Sequence, residues 1–198
     1  MFTRRDFVLT LIAGILTGLL SLPILKNLGL DFPYIKAVFV LGAPLAFMLG
    51  IYATSFFAHR FIWLYQFSKY ASVGFLNTMI DFGVLNFLSF LTGIYSGFYI
   101  IALNSVAAIF STTNGYFWNK YWAFGSEEKA YLREFFYFAV AGFVGLLINT
   151  SIVYAVTTFS RLPGGVDGPL LENTAKVFAT IASMAWNFYA FKFLVFKK

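Results

Sequence analysis

The chain has 198 residues, of which 60% are hydrophobic, 22% aromatic and only 11% charged, with a formal charge of +6. A soluble domain is roughly a quarter charged, so this composition excludes a fold that covers itself with polar surface. The absence of cysteine excludes disulfides, thiolate metal sites and cysteine nucleophiles, and the positive charge reads as membrane topology rather than nucleic-acid binding.

The first element follows Thr3-Arg4-Arg5-Asp6, after which no charged residue occurs from Phe7 to Leu25. Two arginines before an apolar run resemble an export signal. The run is longer than a signal core, and no small-x-small cleavage site follows it. A retained helix over 7–25 is therefore expected, with Arg4 and Arg5 fixing its cytoplasmic end. Gly14-x-x-x-Gly18 within it offers a weak dimerisation face. Further apolar spans are expected at 36–58, 69–91, 98–118, 135–159 and 172–191. About 20 apolar residues cross the hydrocarbon core, so the fold class is an all-α polytopic membrane helix bundle of about six transmembrane helices.

Lysine and arginine fix its orientation. With the N-terminus inside, ten fall in cytoplasmic segments (Arg4, Arg5, Arg60, Lys69, Lys120, Lys129, Arg133, Lys192, Lys197, Lys198) and four outside (Lys26, Lys36, Arg161, Lys176). This excess places both termini in the cytoplasm, and the expected location is the cytoplasmic membrane.

The last two-thirds repeats itself. Phe67–Phe75 aligns with Phe135–Phe143, pairing Gly74 with Gly142 and Asp81 with Asn149. Lys120-Tyr-Trp-Ala-Phe124 aligns with Lys192-Phe-Leu-Val-Phe196. Each unit is two helices long, so the two run parallel about an axis along the membrane normal, an arrangement that in transporters often holds substrate between the repeats.

The segments Lys69-Tyr70-x-x-Val73-Gly74-Phe75-x-Asn77-Thr78-x-x-Asp81, Asn119-Lys120-Tyr-Trp122-Ala-Phe124 and Trp186-Asn187-Phe188 with Lys192 and Phe196 together resemble the GtrA family of small polytopic membrane proteins. The likeness runs over 67–198, a four-helix domain, and leaves 1–66 as an N-terminal two-helix extension. The second half has Asn187 where the first has Gly115. The resemblance implies work on polyprenyl-phosphate-linked sugars, either moving them across the membrane or serving the glycosyltransferases that make or use them.

Several residues are candidates for that chemistry. Asp81 lies twelve residues beyond Lys69, about 18 Å deeper along a helix and close to the bilayer midplane, where a carboxylate costs several kcal/mol and must face protein or a wet cavity. It is either a sugar-hydroxyl acceptor or a helix-to-helix hydrogen bond. Asn149, its counterpart in the repeat, and Asn77 supply amides for the same purposes. Lys69, Lys120 and Lys192 share a depth at the cytoplasmic boundary and suit a lipid phosphate or, equally, the anchoring of helices. Glu172 and Lys176, four apart at the external edge, either meet the departing headgroup or form a helix-end pair. His59 beside Arg60 lacks the partners of a metal site, so no metal and no cofactor is expected. Neither a phosphate-binding glycine loop nor a large extramembrane segment is present to bind a nucleotide sugar, so the chain is expected not to be an enzyme.

The reading favoured is flipping of a polyprenyl-phosphate-linked sugar for extracytoplasmic glycosylation of cell-envelope polysaccharide. Its expected partners are that lipid, the membrane lipids around it, a membrane glycosyltransferase and a second copy of the chain, with no nucleic acid. The alternatives are a non-transporting accessory subunit of such a glycosyltransferase, or a small proton-coupled exporter using Asp81.

Overall fold

A computed structural model describes residues 2–27, 32, 34–93, 99–127, 129, 131–159 and 169–196; the side chains of 149–150 and 169–177 are among those outside the description. The described residues are helical, without strands: α1 (Arg4–Asn27), α2 (Ile35–Phe56), α3 (Ile62–Thr92), α4 (Tyr99–Trp118), α5 (Tyr131–Phe159) and α6 (Pro169–Ala190). Among the described residues, four stretches are long and apolar enough to cross a membrane unaided: Arg4–Pro23, Ile35–Phe56, Ile62–Thr92 and Tyr131–Ile148. The chain is thus an all-helical membrane protein, as its composition demands. It divides into two compact units, Met1–Gly125 and Ser126–Lys198. The expected boundary at 66/67 falls inside α3.

In the first unit α1 opens on a capping box. The Thr3 hydroxyl accepts from the Asp6 amide (3.1 Å), and the Asp6 carboxylate accepts from the Thr3 amide (3.0 Å), so two otherwise orphaned donors are satisfied reciprocally. Helices α1 and α2 approach closely where Gly14 faces Pro44. A Cβ at Gly14 would overlap Pro44, and one at Gly18 would lie 2.6 Å from the Val40 Cα. The Gly14-x-x-x-Gly18 face is therefore used inside the chain, against α2.

Helix α3 begins at Ile62, seven residues before the expected start. Trp63, Leu64 and Tyr65 extend the helix through the membrane interface, where amphipathic aromatic rings are favoured. The consequence is that Lys69 lies almost two turns inside the helix instead of at its edge. Gly93 ends α3 in the left-handed region (φ 70°), its amide donating to the Ser89 carbonyl (2.9 Å), a conformation that costs glycine nothing. Buried Ala13, Ile51, Tyr65, Val73, Leu76 and Trp122 form the core of this unit.

The second unit is the α5–α6 hairpin. The lysine and arginine count predicts that the segment before α5 and the 160–168 stretch lie on opposite sides of the membrane. Ser126 is buried and donates to Glu134 (2.7 Å), so the inner reporter belongs at exposed Lys129. Lys129→Cys and Gly165→Cys are expected to react with an impermeant maleimide from opposite faces of sealed vesicles. Labelling of both from one face would eliminate six-span threading.

Candidate functional site

Both hairpins of the repeat end in the same unusual turn. After α4 the chain makes a π-helical turn over Asn119–Ala123, closed by the Phe124 amide donating to the Asn119 carbonyl five residues back (2.9 Å). After α6 the same turn covers Phe191–Val195, closed by Phe196 donating to Phe191 (2.8 Å). Such turns are rare and cluster at functional sites. In each, the closing phenylalanine folds back on an aromatic ring of the hairpin's first helix: Phe124 on Tyr70 (6.3 Å between centroids) and Phe196 on Phe138 (5.9 Å). These four residues are equivalent in the repeat.

The lysines that open these turns have matching surroundings. Lys120 Nζ lies 5.7 Å from the Tyr116 ring and 6.0 Å from Tyr121. Lys192 Nζ lies 5.8 Å from Phe188 and 5.2 Å from Phe193. Each ammonium thus stands over rings four residues before it and one after, within the range of cation–π attraction. Their exposures differ: Lys120 is 1% exposed, whereas Lys192 is half-buried.

Lys69 is not at an open boundary. Its ammonium forms an ion pair with Asp6 of α1 (2.5 Å), with both side chains at least nine-tenths buried. Trp122 Nε1 donates to the same carboxylate (3.1 Å), and the Tyr65 ring lies 4.2 Å from Lys69 Nζ. Beside this cluster, Arg5 donates to the Tyr121 carbonyl within the π turn (2.7 Å). A buried charge needs a partner and hydrogen bonds, and here the N-terminal extension supplies the partner. Asp6 was missed by sequence reasoning, although Thr3-x-x-Asp6 is a legible capping box and its depth matches that of Lys69.

One to two turns before Lys120 and Lys192 the two hairpins solve one problem in opposite ways. Asn77 on α3 packs against Gly115 on α4, where a Cβ on the glycine would overlap the amide. In the second hairpin the glycine is on the first helix, Gly145, and the amide on the second, Asn187, with the same overlap. The repeat places Asn77 opposite Gly145 and Gly115 opposite Asn187, so the departure at Gly115 is one half of an exchange. Each hairpin also carries a polar link from the preceding residue of its second helix. Asn114 donates to Asn77 Oδ1 (2.7 Å), and Trp186 Nε1 donates to the Ala141 carbonyl (3.0 Å). Asn187 Oδ1 is buried without a donor among the described residues.

Asp81 is half-buried, about two-thirds of the way along α3, and no described residue donates to it. Asn149 lies on α5, and Glu172 and Lys176 on α6, but their side chains are outside the described residues. No group of three or more potential metal ligands occurs among the described residues. The structure thus brings together Lys69 and the π turn of Lys120 in one unit. Lys192 has the equivalent place in the other.

The family described as GtrA/DPMS, transmembrane domain, matches residues 69–196. No curated protein and no solved structure matches significantly. The match takes in α3 to α6 with both π turns, and begins at the lysine that Asp6 neutralises. The chain belongs to the GtrA/DPMS transmembrane-domain family, which relates to polyprenyl-phosphate-linked sugars and the membrane glycosyltransferases that handle them.

Proposed function

We propose that the chain carries a polyprenyl-phosphate-linked sugar across the cytoplasmic membrane, from the side where the lipid is charged to the side where a glycosyltransferase consumes it to build envelope polysaccharide. The observation that supports this most directly is an ionisable residue, Asp81, deep in a helix of the matched domain, where carboxylates are costly and kept for function. The phosphate is met on the cytoplasmic side by lysine. Lys192 is the most accessible of the three, Lys120 has the equivalent place, and the ammonium of Lys69 is shared with Asp6. The sugar hydroxyls, stripped of water in transit, find acceptors and donors on Asp81, Asn77 and Asn149. Glu172 and Lys176 receive the headgroup outside. The chain itself transfers no sugar.

A second reading is an accessory subunit that transports nothing. It is favoured by the family description, which joins GtrA to DPMS. The two separate on Asp81→Leu and Asp81→Asn, reconstituted in vesicles with a defined lipid-linked sugar. Leucine is expected to abolish translocation per folded molecule and asparagine to leave part of it, with the melting temperature of both unchanged. A leucine variant that melts earlier yet transports normally per folded molecule would make Asp81 a packing residue and remove this mechanism.

A further inference from the structure

The two π turns carry equivalent lysines in matching local settings, yet the lysines are unequally covered. Each ammonium stands over the rings four residues before it and one after, so the aromatic neighbours within the hairpin do not set them apart. Lys120 is nevertheless 1% exposed and Lys192 half-buried. The difference continues around them. Trp122, two residues beyond Lys120, is 5% exposed, whereas its equivalent, Leu194, is 50% exposed. Lys69 is 8% exposed against 47% for its equivalent, Tyr137.

The cover on the first hairpin is the opening turn of α1, which lies outside the matched family domain. It grips the two residues of the π turn that directly follow Lys120. Arg5 donates to the Tyr121 carbonyl (2.7 Å), and the Asp6 carboxylate accepts from Trp122 Nε1 (3.1 Å). Phe2 and Leu9 pack against the core that contains Trp122. The Asp6 pair with Lys69 ties the same turn of α1 to α3. One helix end thus fastens the π turn to α3, over the lysine within that turn.

We infer that the first turn of α1 is a clamp that keeps the π turn of the first hairpin shut over Lys120 and leaves Lys192 as the accessible lysine of the pair. The N-terminal extension thereby makes a repeated structure work unequally. For the proposed transport, on whose reading this consequence rests, a headgroup phosphate is met at Lys192 and not shared between two equal sites.

The test reads lysine reactivity in the full-length protein, held in lipid nanodiscs that leave both faces open to solvent. Brief exposure to N-hydroxysulfosuccinimidyl acetate, followed by mass spectrometry, gives an acetylation rate at Lys69, Lys120 and Lys192. In the unaltered protein Lys69 and Lys120 are expected to react about tenfold more slowly than Lys192, since a protected group reacts only when the structure around it opens. Arg5→Ala combined with Trp122→Phe removes both grips on the π turn and keeps the Asp6–Lys69 pair. It is expected to raise the Lys120 rate about fivefold, as the loss of two hydrogen bonds allows, with Lys69 still protected and Lys192 unchanged. Equal rates at Lys120 and Lys192 in the unaltered protein would overturn the inference. So would a Lys120 that stays protected in the variant, because the hairpin would then bury it unaided. Release of Lys69 as well would mean the variant has unfolded, and Arg5→Ala alone then decides. A rise at Lys120 of about twofold there supports the clamp, and an unchanged rate overturns it. The readout does not depend on transport. A clamp without transport would sink the flipping proposal and leave the clamp; transport with Lys120 as reactive as Lys192 would do the reverse.

Discussion

Asp6→Leu is expected to destabilise the protein by about 3–5 kcal/mol, the cost of leaving a buried partner charge uncompensated. The ammonium of Lys69 would remain nine-tenths buried beside Tyr65 and Trp122, with the Asp6 carboxylate gone. The capping box at Thr3 and the acceptor for Trp122 would be lost in the same step, so the contributions are not separable by addition. The double variant Asp6→Leu/Lys69→Met removes both charges and replaces them with apolar bulk. It is expected to recover most of the loss, because the desolvation of both ions is recovered together. Thermal unfolding in mild detergent, on both singles and the double, measures the coupling. A single variant within about 0.5 kcal/mol of the parent, the usual range of surface substitutions, would mean the pair contributes nothing.

The second large effect is expected at the crossing of α3 and α4. Gly115→Asn forces a side chain into the amide of Asn77, and overpacking of this kind costs about 1–3 kcal/mol. Asn77→Gly opens a void and strips Asn114 of its acceptor. The exchange Asn77→Gly/Gly115→Asn rebuilds in the first hairpin the arrangement that Gly145 and Asn187 have in the second. It is expected to be more stable than either single variant. It should still fall short of the parent by about 1 kcal/mol or less, the modest value of an interhelical hydrogen bond in a membrane. An exchanged variant no better than Gly115→Asn would show that the two crossings differ in geometry and not only in which helix carries the amide.

Much of the fold was legible because charge-free runs report bilayer thickness directly. The α2 range, the end of α5 and the loss of helix near Gly93 follow from composition and glycine placement, whereas α5 starts at Tyr131, four residues before the expected start. The start of α3 was not, because Ile62 to Tyr65 satisfies both an interfacial loop and a helix, and only packing decides. That shift changed the meaning of Lys69. Sequence gives a lysine its depth, but the neutralising carboxylate sits on a different helix, and no periodicity within α3 points to it. Gly115 shows a subtler limit. The mismatch with Asn187 was visible, and so was the opposite mismatch of Asn77 with Gly145. That the two touch, and therefore cancel, required the helices to be seen side by side. The π turns coincide with the repeated Lys-x-x-x-Phe segments, but their geometry was not legible, since a hydrogen bond to the fifth residue back within an apolar helix changes no hydropathy.

The link between Asp6 and Lys69 also bears on how the chain is made. Asp6 leaves the ribosome first, and Lys69 follows only after α1 and α2 are complete. While α1 enters the translocon its carboxylate has no cation inside the bilayer, and it must stay hydrated at the surface. Only when α3 arrives is it neutralised. The extension and the first helix of the family domain are therefore tied together by a charge pair that forms only once α3 is in place. A chain that stops before α3 lacks the ammonium that neutralises Asp6 at the first turn of α1.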